Sequence, residues 1–282
     1  METVDVFPGS RRLVRGTIPS SSYLLIGPTG IGKTIFCKQF IYNGLKKSHP
    51  GIYVSTDEAP KEIESSMQNF GFDVTGYIDN GLLRIIDCYS YKVRQRSTSE
   101  YIVRGNHNFI TDVSLNIESA MQNLRDIHFV FDSLTVPSTT CNKKDLFEFL
   151  QLLVARIKEV NGTAFFTVTS GALDDTFMNI LPIAFDGILE MKGDETGTNI
   201  KRLIRIFSIK GAKHTTSWTP FEITDQGIVV KREVELRCAL CSKLIDWEPY
   251  IETINGQKYH FDSLDCFNTY MKFKNIYGDY FQ

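Results

Sequence analysis

Apolar residues in this chain fall into short compact runs, and the stretches between those runs carry a helical period. The runs at 23–26, 52–56, 82–88, 127–132 and 163–169 are rich in β-branched and aromatic residues and read as strands. The stretches 35–42, 61–70 and 114–124, and the series Leu146, Phe149, Leu150, Leu153 and Ile157, read as helices. Strand and helix alternate, which predicts an α/β fold: a mainly parallel central sheet with helices on both faces and ligands at the strands' carboxyl ends. Beyond Asp186 the helical period stops. Short strands at 187–192, 203–210, 221–224 and 228–230, the first followed by a turn at 193–197, predict an antiparallel extension. The pattern divides the chain into a large domain over 1–234 and a small one over 235–282.

Composition narrows the class. The chain has 282 residues, 42% hydrophobic, enough for one large domain with an appendage. Lysine and arginine total 31 against 33 acids, so the net charge of −2 gives no general attraction to nucleic acid or membrane. No apolar stretch approaches a membrane span, and residues 1–14, with Glu2, Asp5, Arg11 and Arg12, do not read as a signal peptide. A cytoplasmic protein is expected. Segment 91–108 holds Lys92, Arg94, Arg96 and Arg104 against Glu100 and has no apolar period, so it reads as a long solvated loop. Tyr91 and Tyr101 within it do not make a stacking series for nucleic acid.

Chemistry enters at Gly27-Pro28-Thr29-Gly30-Ile31-Gly32-Lys33-Thr34, which lies between the run 23–26 and the helix that Ile35 opens. In such a loop, glycines let backbone N–H groups turn toward phosphate oxygens, and the helix N-terminus adds its partial positive charge. Lys33 would reach the β and γ phosphates of ATP, and Thr34 would ligate magnesium. Two further acids fall at strand ends: Asp57-Glu58 after the second run and Asp132 after Phe129-Val130-Phe131. Hydrolysis needs a positioned water and neutralised phosphate charge, roles that Glu58, Lys33 and Lys210 would fill. The competing reading makes Glu58 a solvated loop acid. An acid ending so apolar a strand as Asp132 needs a metal or a hydrogen-bond partner.

The blocks GPTGIGKT, YVSTDEAPKEIESSMQNFGFDV, HFVFDSL and IKGAKHTTSWTPFEITDQGIVV together resemble the KaiC branch of RecA-type ATPases over roughly residues 10–232. The resemblance implies a magnesium-dependent ATPase in which Asp57 and Glu58 supply the base for water and Asp132 helps hold magnesium. It also implies a ring, usually a hexamer, in which a basic loop reaches a neighbour's nucleotide; here that loop carries Lys210, Lys213 and His214. Read without the family, Lys210 and His214 are surface groups on a hairpin. Two departures matter. Ser208 stands where relatives often carry a second basic residue, which implies slow hydrolysis. Leu181-Pro182-Ile183-Ala184 has no hydroxyl where the clock protein is phosphorylated, so no autokinase activity of that type is expected.

Cys37, Cys88 and Cys141 are scattered singly, whereas Cys238, Cys241 and Cys266 fall in the last 45 residues. The Cys238-x2-Cys241 pair, then His260, Asp262 and Cys266 at the start of an aromatic-rich helical stretch, has the spacing of a closed, structural zinc site. This segment resembles small treble-clef fingers of the TRASH and YHS kind, with Asp262 in place of a usual cysteine; His260 and Asp262 are equal candidates for the fourth ligand. The bland alternative is three unbonded thiols and a surface histidine. Arg237, Lys243, Lys258, Lys272 and Lys274 make five positive charges against seven acids, namely Glu235, Asp246, Glu248, Glu252, Asp262, Asp265 and Asp279. An acidic finger favours a protein partner over nucleic acid. Trp247, Tyr250 and Tyr259 form either its sticky face or its core. The expectation is an ATPase coupling nucleotide state to a protein partner in signalling or regulation. Alternatives are a nucleotide-binding switch or scaffold with little hydrolysis, and a DNA-associated RecA-like ATPase.

Overall fold

The structure, a computed structural model, describes residues 13–15, 21–104, 108–194, 200–214, 216–231, 236–245 and 249–278. The stretch 1–12, residues 195–197 of the expected turn, 105–107 of the expected loop, Glu235 and Trp247 lie outside the described residues. The chain forms two compact units, Met1–Lys231 and Arg232–Gln282.

The first unit begins with β1 (Val14–Arg15), β2 (Ser22–Gly27), α1 (Lys33–Leu45) and β3 (Gly51–Ser55). It continues through α2 (Pro60–Gln68), α3 (Thr75–Asp79), β4 (Leu83–Asp87), β5 (Tyr101–Ile102), α4 (Phe109–Met121) and β6 (His128–Asp132). Next come α5 (Thr135–Thr140), α6 (Lys143–Glu159), β7 (Thr163–Thr169), α7 (Asp175–Ile180) and β8 (Gly187–Asp194). The unit closes with β9 (Lys201–Ile209), β10 (Lys213–His214), β11 (Thr219–Thr224) and β12 (Gly227–Val230).

Among the described residues, ten strands make one sheet in the order β12-β11-β9-β8-β2-β7-β6-β3-β4-β5. Pairing is parallel from β8 to β5 and antiparallel through β9, β11 and β12. The α/β sheet with its antiparallel extension is therefore as the pattern predicts. Both faces are covered because successive strand residues alternate in direction. Leu25, Tyr53, Val130 and Phe165 pack with Phe36, Phe40 and Ile41 of α1. Leu24, Ile52, Phe129, Phe131 and Phe166 pack with Val113 and Ile117 of α4 and Leu146 and Leu150 of α6. Close approach fixes one glycine in α1: a Cβ at Gly44 would lie 2.2 Å from Nδ1 of His128 on β6. That ring stacks on Phe40 with centroids 4.3 Å apart, and burial lowers its pKa to about 4.

Some elements differ from expectation. The helix predicted at 114–124 starts five residues earlier, where the Asn108 side chain accepts the Ile110 N–H at 3.0 Å and caps α4. The expected loop 91–108 is not loop throughout, because Tyr101–Ile102 adds β5 to the sheet. Helices α3, α5 and α7 add to the elements that the pattern predicts.

The second unit holds the turn 238–241, a hairpin of β13 (Tyr250–Ile254) and β14 (Gln257–Phe261), and α8 (Leu264–Tyr277). Among its described residues Cys238, Ile245, Phe261 and Tyr270 form the buried cluster. Tyr250 packs on Phe267 and Tyr259 on Tyr270, so these two rings serve the unit's core. Among the described residues no helix is long and apolar enough to cross a membrane.

Candidate functional site

Strand β2 delivers the chain to Gly27, where a Cβ would come within 2.9 Å of the Met191 carbonyl oxygen on β8. The loop then turns through left-handed positions at Gly30 (φ 77°) and Gly32 (φ 120°), conformations that glycine adopts without penalty. Pro28, Thr29 and Gly30 are exposed at its crest, Ile31 is buried beneath it, and Thr34 and Ile35 are half-buried at the helix start. Helix α1 has no side-chain cap and no acid in its first turn. Among the described residues no side chain caps its leading N–H groups, while the helix dipole favours an anion. This arrangement fits a phosphate group. Lys33 lies within the loop, its Nζ donating to the carbonyls of Gly27 (2.7 Å) and Pro28 (2.9 Å). Burial lowers its pKa, and the negative charge of Asp132 opposes that shift.

Asp132 ends β6 and is buried. Its carboxylate accepts the Tyr53 hydroxyl at 2.8 Å and the Thr167 hydroxyl at 2.5 Å, which are the partners such an acid needs in this core. The peptide bond to Ser133 is cis. Ser133 donates its N–H to Thr56 Oγ1 (2.9 Å) and its hydroxyl to Asp57 Oδ2 (3.3 Å). Asp57 thus joins the Asp132 end of the cleft. Partial loss of water around its carboxylate, then the charge of Asp132, raises its pKa.

The neighbouring acid turns elsewhere. Glu58 accepts from Lys38 Nζ at 2.5 Å, and that ammonium, on a residue only 2% exposed, also reaches Ser66 Oγ at 2.5 Å. The sequence treats Asp57 and Glu58 as one pair with Glu58 as base. The fold instead separates them, with Asp57 beside Asp132 and Glu58 neutralising a buried lysine.

Lys210 and His214 lie away from this chain's own phosphate loop. Ile209 pairs with Gly187, which pairs with Tyr23 at the start of β2, so they sit a strand's length from Gly27 at the opposite end of the sheet. Lys210 Nζ donates to the Phe185 carbonyl at 2.7 Å, and His214 Nδ1 lies 3.1 Å from the Ala212 carbonyl. Lys213 pairs through its backbone with Arg15; its side chain lies outside the described residues.

In the second unit the Sγ atoms of Cys238, Cys241 and Cys266 all lie within 4.8 Å of one another. Neither His260 nor Asp262 joins that group among the described residues. His260 accepts the Ala239 N–H through its carbonyl at 2.9 Å. Asp262 contributes its backbone N–H: burial pushes the Cys238 thiol up, but N–H groups of Cys241, Asp262 and Leu240 aimed at its sulfur bring the pKa down to about 7. Ser263 caps α8 by accepting the Cys266 N–H at 3.2 Å, which sets the third thiol in the helix's first turn. Three converging thiols, one held by backbone donors, fit a thiophilic metal such as zinc.

Sequence reading missed Lys38, Thr167, Tyr53 and Ser133. Thr167 had a visible signal, a hydroxyl within the apolar run of β7, as did Lys38, a charge on a helix face between Cys37 and Phe40. Their partners come from other elements and leave no mark in local sequence.

Comparison with known proteins agrees with this geometry. Residues 8–235 match the family model described as ATPase: KaiC. The chain is 31% identical over 230 residues to a UPF0273 protein of Pyrococcus horikoshii, covering 79% of this chain and 91% of the relative. It is 28% identical over 228 residues to a UPF0273 protein of Thermotoga maritima, covering 79% and 93%. The crystal structure of a KaiC-like protein from Pyrococcus horikoshii aligns with a TM-score of 0.64 at 25% identity, covering 81% of this chain and 97% of that one. With its phosphate loop, its strand order and a match over most of its length, the chain belongs to the KaiC family of RecA-type, nucleotide-binding ATPases.

Proposed function

We propose that this protein is a magnesium-dependent ATPase whose water-side acid is Asp57. The observation that carries this reading is the arrangement at one end of the sheet: an uncapped helix start behind a glycine loop, Lys33 inside that loop, and Asp132 fixed by two hydroxyls beside Asp57. Bound ATP would place its phosphates at the loop, with Thr34 and Asp132 holding magnesium, which supplies charge neutralisation of the transferred group. Lys33 then exchanges two carbonyl partners for phosphate oxygens. Asp57, with its raised pKa, orients and accepts a proton from water. Glu58 keeps Lys38 neutralised and so holds the start of α2 against α1.

Mutation separates the roles. Lys33→Ala is expected to abolish ATP binding. Asp57→Asn is expected to keep binding and lower hydrolysis by about 100-fold or more, the usual size of a lost general base. Glu58→Gln is expected to lower stability first, since it removes the charge partner of a buried lysine. Wild-type turnover in Asp57→Asn would refute the assignment and return the role to Glu58.

The finer reading adds a ring, hexameric by resemblance, in which Lys210 of one subunit serves the next subunit's nucleotide. Its position at the far end of its own sheet supports service in trans rather than in cis. Cys238, Cys241 and Cys266 hold a structural zinc, with His260 or Asp262 completing the shell after a local shift, and the finger engages a protein partner in signalling or regulation. A second reading, a nucleotide switch with little hydrolysis, draws support from Glu58 being engaged by Lys38 and from Ser208 in place of a cation. Steady-state turnover, with mass in solution measured with and without ATP, distinguishes the two.

A further inference from the structure

The loop between β4 and β5 walls a cavity of about 870 Å³ whose other side is formed by α5 and the start of α4. It lies apart from the phosphate loop, since none of residues 27–35 lines it. Three cations do, namely Lys92, Arg94 and Arg104, and no acid does. Among the described residues none of the three is in an ion pair. Like charges gathered at one concave surface repel one another, and an anion relieves that repulsion. Tyr91, about half exposed, and Phe109 add ring faces to the wall.

The loop is built rather than loose. Asp87, fully buried, accepts the N–H groups of Tyr89 (2.9 Å) and Ser90 (2.8 Å) on one oxygen and the Ser97 hydroxyl (2.5 Å) on the other. Gln95 N–H closes back on the Ser90 carbonyl at 2.8 Å. Within this frame Arg94 takes a left-handed backbone (φ 59°), uncommon for a residue with a side chain. The volume lies within the range of small-molecule sites. A nucleic-acid strand would need cations and aromatics spread along a track, whereas these converge.

We propose that this cavity is a second ligand site, for a small phosphorylated molecule of about nucleotide size. Lys92 and the arginines bind the phosphate, and Tyr91 packs against an attached ring. Lys92 also acts electrostatically on Asp57, and Thr56 lines the wall one residue before that acid, so the ligand's charge is felt next to the ATP site.

Calorimetric titration of the full chain, first saturated with magnesium and ADP, with pyrophosphate tests the site. One further binding event per chain is expected, weakened about 100-fold in Lys92→Gln/Arg94→Gln/Arg104→Gln because charge-assisted bonds are lost. The three side chains are exposed, so the variant should keep its melting temperature and its ADP affinity. Absence of binding by the ADP-loaded wild type, or equal binding by the variant, would overturn the proposal. So would displacement of pyrophosphate by a single-stranded oligonucleotide that binds more tightly, which would make the loop a nucleic-acid contact. Failure of the ATP reading appears separately, as absent ADP binding in the first stage.

Discussion

In the sheet unit, β2, β3, β6 and β7 bury both faces, and two layers of side chains hold them between helices. The second unit buries Cys238, Ile245, Phe261 and Tyr270 among its described residues, and the three thiols converge beside that small cluster. A unit with two full apolar layers can carry polar and strained chemistry on its loops, because the hydrophobic term is large. A unit with four buried apolar side chains among its described residues has no such reserve, and a bound ion would supply what its core lacks.

The largest expected effect tests that contrast directly. Zinc binding contributes about 10–16 kcal/mol in comparable fingers, so chelation or Cys238→Ser should unfold residues 236–278 while leaving ADP binding and the main thermal transition unchanged. Limited proteolysis with elemental analysis reads both; a finger that stays protease-resistant and metal-free would break the comparison. Next in size is Phe166→Ala. Phe166 is fully buried against Phe129, Phe131 and Phe185, and the change should cost about 3–5 kcal/mol in denaturant unfolding without loss of zinc.

Smaller again is a pH effect confined to the sheet unit. His128 titrates at about 4 when folded and near its ordinary 6.5 when unfolded. The unfolded chain therefore binds the extra proton first as pH falls, and stability drops by about 3 kcal/mol between pH 6.5 and 4, with no contribution above 7. Subtracting the profile of His128→Gln isolates this share; identical slopes would mean that the ring is protonated in the fold. The smallest effect is at Asn142, whose side chain accepts the N–H groups of Lys144 (2.9 Å) and Asp145 (3.3 Å) to cap α6. Asn142→Ala should cost about 1 kcal/mol by chemical denaturation.

The buried parallel strands were legible because 127–132 and 163–169 are apolar on both sides, a pattern that water tolerates only inside a sheet. Helices α3, α5 and α7 were not, since five or six residues do not complete two turns of apolar period. The hairpin β13–β14 does leave a mark in the sequence: Asn255 (φ 52°) and Gly256 (φ 80°) form the two-residue turn that such pairs favour. At the site, the phosphate loop could be read because its chemistry is contiguous. The division of labour between Asp57 and Glu58 could not, because it is decided by Lys38 twenty residues earlier and by Ser133 just past the end of another strand.

Gly44 and His128 fit as notch and key: with no side chain at 44, the imidazole lies flat on Phe40, and any Cβ there would overlap the ring. The order of evolutionary steps is therefore constrained. A lineage that gives position 44 a side chain must first have reduced the residue at 128, whereas 128 is free to shrink while 44 stays glycine. The two positions should covary among relatives, with bulk at 128 accompanied by glycine at 44.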